Sequence, residues 1–252
     1  MDINKEKFDF DDFVKIMERL VAPDGCPWDR VQTHESLKRY MIEECYEAVE
    51  AINNRDSVNL CEELGDVLLQ VVFHSLLGEK ENEFTLDDVV DGVSKKMINR
   101  HRHIFGNTEA ETPEDVLKSW DEIKKEEKGY KNNTEQLRSV PVAFPALLRA
   151  DKVCGKVEKL TGEELFQGDL YEKLIEEIRE LQRAEKDVNS QKMDKIGKIL
   201  LIIANISRKN KINPEFALTN ALETYINKFE CVESNGKSGE ENEDTHADGT
   251  EL

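Results

Sequence analysis

The chain has 252 residues, with 54 acidic against 35 basic side chains and a formal charge of -19. That field opposes nonspecific binding to duplex nucleic acid, yet it admits a small anionic ligand wherever a bound divalent ion inverts the local charge. Hydrophobic residues are 38% of the chain, which is polar for a folded protein, but they recur at helical spacing and argue against disorder throughout. The first residues, MDINKEKFDFDD, lack the apolar region of a secretory signal. No apolar run of about 18 residues occurs, so no membrane helix is expected. The cysteines Cys26, Cys45, Cys61, Cys154 and Cys231 are odd in number and form no CxxC pair. They read as reduced, buried thiols of a cytoplasmic protein.

The first predicted helix covers 8–20, where Phe13, Ile16, Met17 and Leu20 share a face. The punctuation of APDGCPWD ends it. Thr33 caps a second helix running to about Ile52, with Leu37, Met41, Cys45, Ala48 and Ile52 as its apolar stripe. The stretch NNRDSVN turns into a third helix, about Val58 to Gly78, carrying Leu60, Leu64, Val67, Leu68, Val71 and Val72. A fourth is expected over Leu86 to Arg100. Another starts at Pro113, a residue suited to a first turn, and ends near Lys128.

Residues 131–145 read as a linker between a first domain, 1–130, and a second, 146–233. Helices in the second are expected at about Asp169 to Lys186, Met193 to Ser207 and Pro214 to Phe229. From Ser234 the composition turns polar and acidic, and 234–252 reads as a disordered tail. The halves repeat weakly. MIEECYEAVEAI is echoed by LIEEIRELQRAE, and ELGDVLLQVVFH by KIGKILLIIANI. The glycine in each second segment suggests a close approach of two helices.

The chemistry sits in the acidic spacing. Glu43, Glu44 and Glu47 form EExxE on the second helix, and Glu63 and Asp66 form ExxD on the third. Carboxylates at i,i+3 or i,i+4 share a helix face. A short turn makes the two helices antiparallel neighbours, so the two sets can meet across one seam. Such a cluster repels itself, and a hard divalent cation relieves it. Oxygen ligation suits Mg²⁺ or Mn²⁺. Solvated helical carboxylates are the plainer alternative, and the long apolar run beside Glu63 and Asp66 argues against it.

These motifs resemble the MazG family of nucleoside triphosphate pyrophosphohydrolases. The resemblance runs through GCPWDRVQTHESL at 25–37, IEECYEAVEAI at 42–52, EELGDVLLQVVFH at 62–74, RHRHIFG at 100–106 and VLKSWDEIKKEEK at 116–128. It implies an all-α fold of tandem helical-bundle domains, of the all-α NTP pyrophosphatase type. It also implies Mg²⁺-dependent cleavage of a nucleoside triphosphate between its α and β phosphates, giving monophosphate and pyrophosphate. By the same resemblance Glu44, Glu47, Glu63 and Asp66 are the metal ligands. Lys96, Arg100, Trp120 and Lys124 meet the substrate, with Glu43 as a lesser catalytic candidate. A homodimer and a role in cleansing the nucleotide pool follow at family level. The alternative is a nucleotide-binding regulatory or dimerisation protein with little turnover. GCPWD reads as a shaped loop, His101 and His103 as rim or packing residues, and His74 as packing.

The second half departs from the pattern. Glu176, Glu177 and Glu180 keep EExxE, but Lys195 and Lys198 stand where ExxD is required. Lysine is a cation without an acceptor, so the second domain is expected to carry an ion-pair seam and no standard activity.

Overall fold

The computed structural model describes residues 3–184 and 189–240, and side chains among them except at 118, 121, 122, 125, 126, 190 and 231–240. Every regular element there is helical, so the expected all-α class stands. The chain divides between Glu127 and Lys128 into two compact units.

In the first unit, α1 (Phe10–Val21) begins at an Asp9 cap and α2 (His34–Asn54) at a Thr33 cap. Both caps are reciprocal boxes: the cap side chain accepts from the backbone three residues on, and that residue's side chain returns a contact. α2 ends at Arg55, which takes the left-handed conformation (φ 56°) and donates its N–H to Ala51 and Ile52. Asp56 then caps α3 (Ser57–Lys80) by accepting from Val58 and Asn59. This two-residue reversal lays α3 back along α2, the most extensive helix pairing of the unit. Ala48 and Ala51 are buried, and their small side chains suit close packing. The core gathers Met17 of α1, Leu37 near the start of α2, and Val72, Phe73 and Leu77 in the later half of α3. α4 (Leu86–Arg100) follows from a Thr85 capping box. A single turn, α5 (Arg102–Phe105), and then α6 (Pro113–Lys128) complete the unit.

The second unit holds α7 (Asn133–Arg138), α8 (Ala146–Thr161), α9 (Leu170–Arg183), α10 (Asn189–Lys209) and α11 (Pro214–Glu240). α10 packs on both α8 and α9. Cys154, Leu170, Ile202 and Ala204 are buried there, and Arg208 pairs with Glu158.

Several expectations change. The linker contains α7, which packs on α8, and α8 itself lies at the start of the second domain, where no helix was expected. α11 continues to Glu240, into the acidic tail expected to be disordered, while 241–252 lies outside the described residues, as does Lys186. Cys45 and Cys61 are exposed, and only Cys154 of the described cysteines is buried. Their helices bury the faces of Ala48, Ala51, Val72 and Phe73 instead. The side chain of Cys231 lies outside the described set. Neither Gly65 nor Gly197 admits a close helix approach within its unit, because a Cβ there would meet nothing within 4 Å.

Phe73 is 1% exposed at the centre of the core. Replacement by alanine is expected to destabilise the first unit by about 3–5 kcal/mol. Val58 on the same helix is exposed, and its alanine variant should shift stability by less than about 0.5 kcal/mol. Urea titration of both variants checks the contrast.

Candidate functional site

The antiparallel α2–α3 pair brings the expected carboxylates together. Oxygens of Glu44, Glu63 and Asp66 all lie within 4.8 Å of one another, and Glu47 is near enough for its charge to act on Glu63. Glu63 is buried although charged, at 9% exposure. Burial pushes its carboxyl above the ordinary value near 4.5, and the charges of Glu47 and Asp66 push it further. Glu44 is raised in the same way, first by burial and then by Asp66, Glu47 and Glu43. The cluster therefore resists full ionisation by itself. All its donors are oxygens, and a hard divalent cation fits them. Glu43 stands apart from this group, exposed and 3.9 Å from Arg39.

The basic and aromatic residues form a second group between α4 and α6. Arg100 donates to Glu127 through Nε (3.2 Å) and Nη2 (2.6 Å), and Asn99 donates to the same carboxylate at 3.0 Å. Hydrogen bonds from Arg100 and Asn99 hold the Glu127 carboxyl below its ordinary value, and Lys96 contributes at longer range. Trp120 is half-buried, its ring meeting His101 edge-on at 5.0 Å, with the Lys124 ammonium 5.5 Å from the ring centre. Its indole Nε1 is buried and has no hydrogen-bond partner. The sequence reading missed Glu127. It lies in a run of charges, where nothing distinguishes one carboxylate from its neighbours. In the GCPWD loop Trp28 is half exposed and edge-on to Tyr40 at 6.1 Å. His74 packs as expected, though against His34, a partner no spacing rule indicates.

The second unit repeats the seam with the sign of one helix reversed. Lys195 meets Glu180 at 3.0 Å and Lys198 meets Glu177 at 2.5 Å. By position in the repeat these match Glu63 with Glu47 and Asp66 with Glu44. Lys195 holds the Glu180 carboxyl low, and Glu177 raises the Lys198 ammonium. The ion-pair seam expected of the second half is therefore present.

Fold and site together define a helical protein with a carboxylate cluster that could hold a metal ion. A family model for the MazG nucleotide pyrophosphohydrolase domain matches residues 32–105. A nucleoside triphosphate pyrophosphohydrolase/pyrophosphatase MazG of Thermotoga maritima is 40% identical over 224 residues, 89% of this chain and 85% of that protein. A nucleoside triphosphate pyrophosphohydrolase of Escherichia coli K12 is 34% identical, across 88% of this chain and 86% of its own. The uncharacterized protein YabN of Bacillus subtilis is 42% identical over 93% of this chain, which spans 49% of it. The chain belongs to the MazG family of nucleotide pyrophosphohydrolases.

The raised carboxyls of Glu44 and Glu63 set a pH dependence. With folded values above unfolded ones, their contribution to stability is complete below the ordinary value near 4.5 and is lost as pH rises through the raised values. A divalent ion compensates that loss, and protons compete with it below. Mg²⁺ is expected to raise Tm at about pH 8 and to have little effect at about pH 4. Thermal melts with Mg²⁺ or EDTA at both pH values check this.

Proposed function

We propose that the chain is a Mg²⁺-dependent nucleoside triphosphate pyrophosphohydrolase whose catalytic centre lies in its first unit. The convergence of Glu44, Glu47, Glu63 and Asp66 on one seam carries this reading, and the names of the similar Thermotoga and Escherichia proteins agree with it. The bond cleaved is the α–β phosphoanhydride, and noncanonical triphosphates are the substrates in a pool-cleansing role.

Glu44, Glu47, Glu63 and Asp66 would hold Mg²⁺, with Mn²⁺ as a substitute. When bound, the ion neutralises phosphate charge and lowers the pKa of an attacking water. The carboxylates fix where that positive charge can sit. Glu63, the most buried, anchors the set, and Glu43, adjacent to Glu44 in sequence but turned toward Arg39, is a lesser water-orienting candidate. Lys96 and Lys124 supply countercharge to the phosphates. Arg100 keeps Nη1 outside its pairing with Glu127, and that nitrogen can donate to a phosphate oxygen. Trp120 offers a face for a base, a contact indifferent to base identity, and its unpartnered Nε1–H can donate to the nucleotide.

The reading includes a homodimer. Ile42, Tyr46, Leu64 and Leu68 stay exposed on the two helices that carry the carboxylates. Glycine inside a helix costs about 1 kcal/mol relative to alanine, and nothing within the first unit uses the space at Gly65. A second copy laid on this face would use both features. A cytoplasmic location agrees with the four described cysteines, all free thiols. Among the described residues, no helix is long and apolar enough to cross a membrane. The second unit has exchanged its centre for ion pairs and serves structure or regulation.

Glu63→Ala is expected to lower kcat at least about 100-fold, measured as pyrophosphate release from a panel of triphosphates with Mg²⁺. Replacing Glu177 and Glu180 by glutamine should leave that release unchanged. Release that survived simultaneous neutralisation of Glu44, Glu47, Glu63 and Asp66 would sink the assignment.

A further inference from the structure

At the opposite end of α3 from the carboxylate seam lies a second group of potential metal donors. A ring nitrogen of His34 and carboxylate oxygens of Glu81 and Glu83 all lie within 4.8 Å of one another. His34 is the first residue of α2, and Glu81 and Glu83 belong to the turn after α3. Glu81 lies eighteen positions beyond Glu63 in sequence, about 27 Å at the helical rise. The groups cannot share an ion.

The surroundings of His34 select one of its nitrogens. Its ring stacks on that of His74, with centroids 5.0 Å apart and planes 5° from parallel, and the two Nδ1 atoms are 2.7 Å apart. Both rings cannot donate across that contact, so one Nδ1–H donates and the other Nδ1 accepts. When His34 donates from Nδ1, its Nε2 bears a lone pair. That Nε2 is buried and has no hydrogen-bond partner, an unusual state for a polar atom. A histidine held through one nitrogen with the other left bare is the usual arrangement of a metal ligand.

The turn that carries the carboxylates is fixed. Asn82 adopts φ 58°, and the N–H of Glu83 donates to the Gly78 carbonyl at 2.9 Å. Phe84 lies so close to Gly78 that a Cβ there would stand 2.7 Å from its ring. The same ring stacks on His34 at 6.1 Å. Phe84 thus holds the turn against His34. Glu81 and Glu83 are exposed and enter no ion pair among the described residues, so both carboxylates are free to close on an ion.

We propose that His34, Glu81 and Glu83 form a second metal site, for a borderline transition ion of the Zn²⁺ type, with His74 orienting His34. One imidazole and two carboxylates leave a fourth tetrahedral position for water. The nitrogen donor favours such an ion over Mg²⁺, which the all-oxygen seam suits better. Donors about 2.1 Å from zinc lie about 3.4 Å apart, a closure that the two exposed side chains can make by rotation.

The test is calorimetric titration of the full chain with Zn²⁺ in millimolar Mg²⁺, which keeps the carboxylate seam occupied. One Zn²⁺ per chain is expected to bind, with the same affinity when Glu63 is alanine. The double variant Glu81→Gln, Glu83→Gln touches only exposed side chains and should weaken binding at least about tenfold. His34→Gln should weaken it as well, with circular dichroism confirming that the variant folds. Failure to bind Zn²⁺ under these conditions would overturn the proposal. So would binding that the double variant leaves intact, or that disappears with Glu63→Ala. None of these outcomes depends on pyrophosphate release, so the two assignments fail independently.

Discussion

Like-charge crowding on the seam between α2 and α3 is the constraint around which the first unit is arranged. Glu44 and Asp66 face each other across it, as do Glu47 and Glu63, and the carboxyls of Glu44 and Glu63 are raised as a result. Such a group exists only where something else holds the helices together. Here Ala48 and Ala51 let the helices approach, and the Arg55–Asp56 reversal fixes their register. The apolar core supplies the rest from further along α3. Asp66 and Val72 are six residues apart, about 9 Å, so the repulsive and the cohesive parts of one helix are adjacent without overlapping.

The second unit shows the same seam relieved in another way. Lys195 and Lys198 bring positive charge on the chain itself, each to the glutamate that corresponds to a crowded carboxylate in the first unit. The geometry of partners is retained and the need for an exogenous cation is gone. An ammonium at this position satisfies an acceptor, but it cannot organise several phosphate oxygens at once as a divalent ion can. A two-residue change of sign therefore separates a centre able to recruit a ligand from one already closed.

What the sequence made legible was local. The cap at Thr33, the proline opening α6 and the i,i+3 carboxylates all act within one or two turns, and each appears where its spacing places it. What it concealed depends on distant partners. Arg100 and Glu127 are 27 residues apart, and His34 and His74 are 40. Neither pair leaves a periodic trace. Cys45 and Cys61 failed for a related reason. An apolar stripe states that a face prefers burial, not what covers it, and in this chain the two thiols remain uncovered. The glycine in each half misled similarly, because small size is compatible with close approach but does not require it.

The open face around Gly65 and the bare nitrogen of His34 share one logic. A helix-interior glycine with empty space before it and a buried polar atom without a partner are both costs that the isolated chain does not recover. Costs of that kind persist where another component offsets them. The carboxylate seam belongs with them, since a proton or a cation relieves its repulsion. In each case the unsatisfied feature lies on α2, on α3 or at their ends. The core sits between the two ends and buries Val72, Phe73 and Leu77 well enough to sustain all three. The helical pair is therefore a frame in which apolar packing at one part of α3 offsets charge repulsion at another.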